Sequence, residues 1–212
     1  MVDYERMKEV ILTGRVEEIS GLVKQALGQG TNPQDIIGQG LIAGMDEVGV
    51  RFKNGDMFIP EVLVSAKTMH KGMEILRPLL TKEGARSMGT VVLGTVKGDL
   101  HDIGKNLVGM MFEGAGFEVV DLGVDQSVEQ FVEAVRKKGA QAVALSALLT
   151  TTMGEMAKVI DALKEAGLRK QVKVMIGGAP LNEKFAQTIG ADGYAPDAGS
   201  AVEKLRKLIR DN

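Results

Sequence analysis

The sequence predicts two parts, a four-helix bundle in residues 1–87 and an α/β doubly wound parallel sheet in residues 88–212. Two observations lead to this fold class. Throughout the first part, apolar residues recur at the spacing of an amphipathic helix. From Gly89 onward, short apolar runs alternate with helical patterns, and repeated βα units of this kind form parallel sheets. The polar segment Thr81–Ser87 separates the two patterns and predicts a linker.

The first part contains four predicted helices. The first spans Asp3–Leu12, and the second covers Arg15–Gln29. Asn32 and Pro33 form a clear start signal for the third, because Asn is a favoured N-cap and Pro is favoured at the first helical position. The fourth begins at Pro60. Four amphipathic helices joined by short connections predict a bundle.

The second part alternates strands and helices. Five strands are predicted, at Thr90–Thr95, Glu118–Leu122, Ala142–Ala147, Lys173–Ile176 and Gly193–Ala195. Five helices are predicted, at Ile103–Ala115, Val128–Lys138, Met153–Ala166, Glu183–Ile189 and Ala198–Ile209. Right-handed crossovers predict a flavodoxin-like or Rossmann-like sheet with strand order 2-1-3-4-5. Ligands of such sheets bind where the chain reverses, so the loops after Thr95, Ala147 and Ile176 are the predicted ligand loops.

Composition argues against several classes of function. The net charge is −2, and Lys and Arg are scattered among Asp and Glu, so we expect no nucleic-acid partner. The apolar runs are too short to span a bilayer, so we expect no membrane partner. The first residues, MVDYERMKEV, have no apolar signal core, so we expect a cytoplasmic protein. The chain has no cysteine, which excludes disulfides, thiolate zinc sites and a cysteine nucleophile.

The loop after the first strand carries the clearest chemistry. Its sequence, GTVKGDLHDIGKNLV, places Asp99, His101 and Gly104 between strand and helix. A neutral imidazole is a good ligand for cobalt, iron or zinc, and a nearby carboxylate can hold its other nitrogen. The second histidine, His70, belongs to the helical part, so a metal at His101 must bring its own equatorial ligands. This pattern points to a tetrapyrrole-type cofactor.

The other two predicted ligand loops contain small and polar residues. The segment SALLTTT follows the third strand and contains Ser146, Leu148, Thr150 and Thr152. The segment MIGGAP follows the fourth and contains Gly177 and Gly178. Taken alone, these residues are also compatible with ordinary strand ends and a tight turn.

Together these motifs resemble the methionine synthase and methyltransferase corrinoid-protein family. The family's Asp-x-His-x-x-Gly, Ser-x-Leu and Gly-Gly motifs are matched, in order, by Asp99, His101, Gly104, Ser146, Leu148, Gly177 and Gly178. The resemblance implies a corrinoid cofactor (cobalamin, methylcobalamin or a variant). It also implies that His101 is the lower axial ligand of the cobalt, in the base-off/His-on form.

The resemblance assigns further roles. The nucleotide tail of the cofactor would enter a slot formed by the Ser146–Thr150 and Gly177–Gly178 loops. Asp99 and Thr152 would set the tautomer and basicity of His101, and Asp99 is expected to contact only the far nitrogen of that ring. The family has serine where this chain has Thr152.

The helical part resembles the cap of the same family. The segment RFKNGDMFIPEVLVSAKTM carries the similarity, and Phe52, Ile59 and Val62 match apolar residues that cover the upper, methyl-bearing face of the corrinoid. The resemblance therefore implies a helical cap domain in residues 1–87 and a corrinoid-binding domain in residues 88–212.

The function implied is that of a non-catalytic methyl carrier. A substrate-specific methyltransferase would deliver a methyl group to Co(I), and a second methyltransferase would pass it to a thiol or folate-type acceptor. A reductive activating protein is the third implied partner. The short two-domain chain is most similar to the stand-alone proteins of methylamine, methanol and related systems.

Three alternatives stay open. They are the cobalamin-binding subunit of a radical mutase, a corrinoid-dependent or light-dependent regulator, and a flavodoxin-like module without cofactor. The cap argues against the first, and the lack of a basic helix-turn-helix argues against the second. The third leaves Asp99 and His101 unexplained.

Overall fold

A computed structural model describes residues 2–83 and 87–210, and the chain divides into two compact units. One unit is built from the N-terminal helices, and the other from a parallel sheet and its flanking helices. The predicted fold class is confirmed.

The helical unit follows the predicted order of helices. Its elements are α1 (Tyr4–Leu12), α2 (Val16–Gly28), α3 (Pro33–Asp35), a π-helix (Ile36–Ile42), α4 (Ala43–Asn54) and α5 (Ile59–Glu83). The side chain of Asn32 accepts a hydrogen bond from the backbone N–H of Gln34, which confirms the predicted start of the third helix. That helix is one continuous run from α3 through the π-helix to α4. It ends at Gly55, whose φ of 82° favours glycine.

Two features of this unit differ from the prediction. The π-helix was not foreseen, because a local change of hydrogen-bond register leaves the apolar pattern almost unaltered. The predicted linker Thr81–Ser87 is wrong in its first three residues, since α5 continues to Glu83. Residues 84–86 of that predicted linker lie outside the described residues.

Apolar side chains spaced at helical intervals form the buried interior of these helices. They include Met7, Ile11, Ile19, Val23, Leu41, Met45, Val48, Met69 and Leu76. The amphipathic spacing predicted for this part of the chain therefore marks the helix faces that pack.

The second unit contains five parallel strands in the order β2-β1-β3-β4-β5, as predicted. The strands are β1 (Thr90–Thr95), β2 (Glu118–Asp121), β3 (Ala142–Ser146), β4 (Lys173–Gly177) and β5 (Gly193–Ala195). The helices are α6 (Ile103–Gly114), α7 (Val128–Lys138), α8 (Met153–Glu165), α9 (Glu183–Ile189) and α10 (Ala198–Arg210). Where the observed ends differ from the predicted ones, they differ by a single residue.

The core of this unit lies on both faces of the sheet. Central strands buried on both sides read as continuous apolar runs, and β3 is such a strand, with Ala142–Leu145 all buried. Gly94 of β1 lets α7 pack closely against the sheet, because a Cβ on Gly94 would lie 2.8 Å from the ring of Phe131 in α7. The capping box predicted at Ser127 and Gln130 is present at the start of α7.

Strand register brings three predicted ligand loops to one edge of the sheet. Thr95 at the end of β1 is paired with Ser146 at the end of β3, and Ser146 is paired with Gly177 at the end of β4. The loops that follow these strands therefore start at the same level. Within residues 2–83 and 87–210, no helix is both long enough and apolar enough to cross a membrane.

Candidate functional site

Asp99 is the centre of the site, and its carboxylate is completely buried. Its Oδ1 accepts hydrogen bonds from Nδ1 of His101, at 2.7 Å, and from the backbone N–H of the same residue, at 3.1 Å. Its Oδ2 accepts from the backbone N–H groups of Leu148 and Leu149, at 2.7 and 3.2 Å. The hydroxyl of Thr152 lies 2.9 Å from the same oxygen. Asp99 thus joins the loop after β1 to the loop after β3.

This arrangement corrects one expectation. Asp99 contacts far more than the distal nitrogen of His101, because four further donors surround it. Two of these donors are backbone groups of another loop, more than 45 residues away in the chain, and they have no signature in the sequence. Asp99 therefore holds the loop structure together as well as orienting the imidazole.

The hydrogen bonds keep Asp99 ionised. Burial by itself raises the pKa of the carboxyl, but the hydrogen bonds from His101, Leu148 and Thr152 outweigh it and hold the pKa well below its ordinary value. An ionised carboxylate only accepts hydrogen bonds, so Nδ1 of His101 must carry the proton and donate. In the neutral imidazole, Nε2 then keeps its lone pair for a metal.

His101 itself faces solvent on a fixed backbone. About half of its side chain, 51%, is exposed, whereas none of the Asp99 side chain is. The buried hydroxyl of Thr95, at the end of β1, donates to the backbone carbonyl of His101 at 2.9 Å. A buried carboxylate behind an open imidazole is the arrangement found around metal-ligating histidines.

Lys105, in the first turn of α6, anchors the helix that follows this loop. Its side chain is almost completely buried, and its ammonium donates to the carboxylate of Asp121 at the end of β2 and to the side chain of Asn106. Buried ammonium groups require such partners. The lysine therefore fixes the start of α6 relative to the sheet.

Large apolar side chains are exposed around His101. Leu100 and Ile103 are 70% and 71% exposed, and Leu148 and Leu149 are 43% and 40% exposed. Clustered exposed apolar side chains indicate a surface that binds a ligand or another protein. Sequence reasoning named Leu148 alone among these four. Leu100, Ile103 and Leu149 were not predicted, although large apolar residues in polar loops could have indicated them.

The Gly-Gly pair has a structural reason of its own. Gly178 has a φ of 137°, and a Cβ there would lie 1.8 Å from the carbonyl oxygen of Ala147. A Cβ on Gly177 would lie 3.3 Å from the carbonyl oxygen of Ala195, a tight contact that a shift of a few tenths of an ångström would relieve. A side chain at Gly178 would therefore collide with the loop after β3 even when no ligand is bound.

Comparison with known proteins identifies the family. A family model described as a B12 binding domain matches residues 89–203, and a second one of the same description matches residues 4–77. The chain belongs to the B12-binding corrinoid proteins. The resemblance seen in its motifs is thus confirmed.

Relatives of this corrinoid protein align over nearly its whole length. Dimethylamine corrinoid protein 1 of Methanosarcina acetivorans is 45% identical over 206 residues, which cover 97% of this chain and 96% of the relative. Trimethylamine corrinoid protein 1 of the same organism is 43% identical, with 96% and 95% covered. A corrinoid protein of Desulfitobacterium hafniense is 42% identical, with 97% and 96% covered.

Solved structures show the same fold. A cobalamin-binding protein from Desulfitobacterium hafniense has a TM-score of 0.82 and 33% identity, with 98% of this chain and 99% of that chain covered. A chain of the methanol:cobalamin methyltransferase complex from Methanosarcina barkeri has a TM-score of 0.85 and 32% identity. The match covers 97% of this corrinoid protein and 79% of that chain.

The residues of the site fit a corrinoid, which brings cobalt already held by its own equatorial ligands. Among the described residues, no group of three or more His, Asp or Glu side chains is arranged to hold a bare metal ion. The site offers instead one imidazole with a free Nε2, supported by Asp99 and surrounded by exposed apolar side chains. A single axial ligand and an apolar surface are what a flat macrocycle requires from a protein.

The structure brings together most of the residues that the sequence predicted for this site. Ser146, half-buried, ends β3, and the exposed Thr150 lies in the loop that follows. Gly104 is exposed in the first turn of α6, and a Cβ there would meet no protein atom. Thr152 precedes α8, but its hydroxyl makes no cap hydrogen bond to that helix. The hydroxyl lies 2.9 Å from Oδ2 of Asp99 and 2.9 Å from the carbonyl oxygen of Leu149.

The three predicted cap residues differ in exposure within the helical unit. Phe52 is half-buried and Ile59 is 40% exposed, whereas Val62 is completely buried. Phe58, which was not predicted, is 68% exposed. Packing alone accounts for Val62, and Phe58 and Ile59 are the more accessible apolar side chains of this segment.

Gly178→Ala should destabilise the protein by about 2 to 3 kcal/mol, because an alanine there is strained and collides with backbone. Gly177→Ala is the matched control and should cost about 1 kcal/mol or less, since its Cβ would need a shift of only a few tenths of an ångström from the carbonyl oxygen of Ala195. Urea unfolding followed by circular dichroism measures both. Equal stabilities of the two variants would contradict the explanation given for Gly178.

Proposed function

We propose that this protein carries a methyl group on a corrinoid between two methyltransferases, and that it performs no bond chemistry with its own side chains. One observation carries the proposal. The buried Asp99 holds Nδ1 of His101 at 2.7 Å, which leaves Nε2 free on a half-exposed ring. When bound, the corrinoid supplies the cobalt on which the methyl group is received and released.

The side chains of the site bind and orient. His101 would hold the cobalt of the corrinoid, Asp99 fixes the tautomer of the imidazole, and the Thr152 hydroxyl supports Asp99. The loops Ser146–Thr150 and Gly177–Gly178 would hold the nucleotide tail. Gly104 leaves open space at the start of α6. The exposed side chains of Leu100, Ile103, Leu148 and Leu149 would contact the macrocycle.

The relatives support a methyl carrier over the alternatives. Two are named as dimethylamine and trimethylamine corrinoid proteins, and one solved structure is a methanol:cobalamin methyltransferase complex. These names favour a carrier over the subunit of a radical mutase or a regulator. The proposed partners are a substrate-specific methyltransferase, a second methyltransferase with a thiol or folate-type acceptor, and a reductive activating protein.

Reconstitution tests this function. Protein freed of cofactor and incubated with hydroxocobalamin should elute from gel filtration with one corrinoid per chain, measured by absorbance. Methylcobalamin should be retained at least as tightly as adenosylcobalamin. A clear preference for adenosylcobalamin would favour the radical mutase, and failure to bind any of the three would contradict the proposal.

We further propose that residues 1–87 act as a movable cap and residues 88–212 as the corrinoid-binding domain. The support is the group of apolar side chains at the start of α5, where Phe58 is 68% exposed and Ile59 40% exposed, together with Phe52 before them. Such side chains shield a reactive centre if the domain that carries them closes over it. Val62 is assigned to the packing beneath them.

Photolysis of the methylcobalamin-loaded protein measures this shielding. Phe58→Ala should speed the loss of the methyl group in light, because a less complete cage lets the separated radicals escape. The control is Val50→Ala, which removes another exposed apolar side chain, 52% exposed, outside the predicted cap residues. Equal photolysis rates in the wild type and Phe58→Ala would contradict the cap proposal.

A further inference from the structure

Asp125, in the loop between β2 and α7, has an unusual backbone conformation. It is the sole non-glycine residue of the described chain with a positive φ, at 55°. Non-glycine residues in this region are uncommon, and aspartate is among those that tolerate it best. Glycine adopts the same backbone conformation with less strain, so the aspartate side chain is expected to supply something that glycine cannot.

Both polar groups of Asp125 bind the loop that carries His101. Its backbone N–H donates to the carbonyl of Asp99 at 3.0 Å. Its Oδ1 accepts from the backbone N–H of Gly98 at 2.7 Å. The positive φ is what allows one residue to present its N–H and its carboxylate to the same neighbouring segment, as in the turns that Asp and Asn commonly form.

Asp99 is therefore held from two sides. Its carboxylate is bound by Leu148, Leu149 and Thr152 from the β3 loop. Its main chain is bound by Asp125 from the β2 loop. The β2 loop is itself aligned with β1, since Gln126 donates to the carbonyl of Thr95 and pairs with Val96 as an isolated bridge.

We propose that Asp125 is a positioning residue for the corrinoid ligand. It fixes the main chain on both sides of the Gly98–Asp99 pair, by binding the N–H of Gly98 and the carbonyl of Asp99, and through that segment it fixes the direction of the His101 imidazole. The inference rests on the proposed function, and it adds the loop after β2 to the three loops that the recognised motifs describe. Asp125 does not contact the metal ligand itself, and it acts through the main chain of Asp99.

Two substitutions separate the side chain from the backbone. Asp125→Gly keeps the positive φ and the N–H donor but removes the acceptor for Gly98. Asp125→Asn is the matched control, because it keeps the shape, the acceptor oxygen and the tolerance of positive φ. In cofactor-free protein, the Gly98 amide should exchange with solvent about 10-fold faster in the glycine variant than in the wild type. In the asparagine variant the rate should match the wild type.

Loaded protein provides the second measurement. Electron paramagnetic resonance of the Co(II) state reports the fraction of corrinoid that has a histidine nitrogen on cobalt. Asp125→Gly should shift this His-on/His-off equilibrium about 10-fold toward the free histidine, and Asp125→Asn should leave the equilibrium unchanged. A merely structural role would lower stability without this shift.

The proposal is overturned if Asp125→Gly leaves both the Gly98 exchange rate and the His-on fraction at wild-type values. It is also overturned if Asp125→Asn is as disruptive as the glycine variant, since charge rather than the hydrogen bond would then be responsible. If the wild type takes up no corrinoid, the proposed function fails, and the exchange rate of Gly98 still decides whether Asp125 holds the loop.

Discussion

Asp99→Asn should lower the free energy of unfolding by about 4 kcal/mol, the largest loss of stability expected from any single polar substitution in the site. The two oxygens of Asp99 accept hydrogen bonds from His101, Leu148, Leu149 and Thr152 inside a fully buried site. An asparagine offers one oxygen and an NH2 group, so one side of the amide must face donors that it cannot satisfy. Unsatisfied buried donors account for most of the expected cost.

The same substitution should change how stability depends on pH. The folded pKa of Asp99 lies below its ordinary value of 3.8, so its ionised form stabilises the protein above that pH. This contribution is lost as the pH falls below 3.8 toward the lower folded pKa. The wild type should therefore lose stability more steeply in this acid window than Asp99→Asn does.

Urea unfolding between neutral and acid pH measures both effects. Asp102→Asn is the matched control, because Asp102 is exposed in the same loop and its carboxylate accepts a 3.2 Å hydrogen bond from Asn106. An Asp99→Asn variant as stable as Asp102→Asn would show that Asp99 is not the anchor of the two loops.

Thr152→Ala should lower the free energy of unfolding by about 1 kcal/mol, because it removes the hydroxyl, whereas Thr152→Ser retains the hydroxyl and should have little effect.

Much of the fold was predictable because it depends on local periodicity. Apolar spacing located the helices and strands, and the handedness of βα crossovers fixed the strand order. The end of α5 was missed, because the polar segment from Thr81 to Glu83 resembles a linker and yet continues the helix. The residue types near a helix end therefore indicate the last helical residue only to within a few positions.

The site was predictable only in part, for a related reason. The positions of His101 and Asp99 follow from a motif and from the carboxyl edge of a parallel sheet. The donors from Leu148 and Leu149, and the contact between Asp125 and Gly98, join residues that are far apart in sequence. Backbone hydrogen bonds of this kind impose no residue type on the donor, so the sequence carries no trace of them.

His101→Gly should abolish the bond between protein and cobalt, which is the largest expected change in the site. The ring nitrogen Nδ1 of His101 donates a hydrogen bond of 2.7 Å to Asp99, so Nε2 is the atom that can bind the metal. In the wild type, the Co(II) electron paramagnetic resonance spectrum should show nitrogen superhyperfine splitting from an imidazole. The glycine variant should keep the corrinoid through the tail slot but lose this splitting.

Two controls make this result decisive. His70→Gln alters the other histidine of the chain, which lies on α5 in the helical unit, and it should leave the splitting unchanged. Free imidazole added to His101→Gly should restore the splitting, because the ring it replaces is half exposed and its space is open to solvent. Asp99 then binds the added ring as it bound His101. Labelling the protein with ¹⁵N separates a protein nitrogen from the nitrogen of the cofactor's own base. If a splitting that responds to this label persists in His101→Gly without imidazole, another residue is the ligand and the assignment of His101 is wrong.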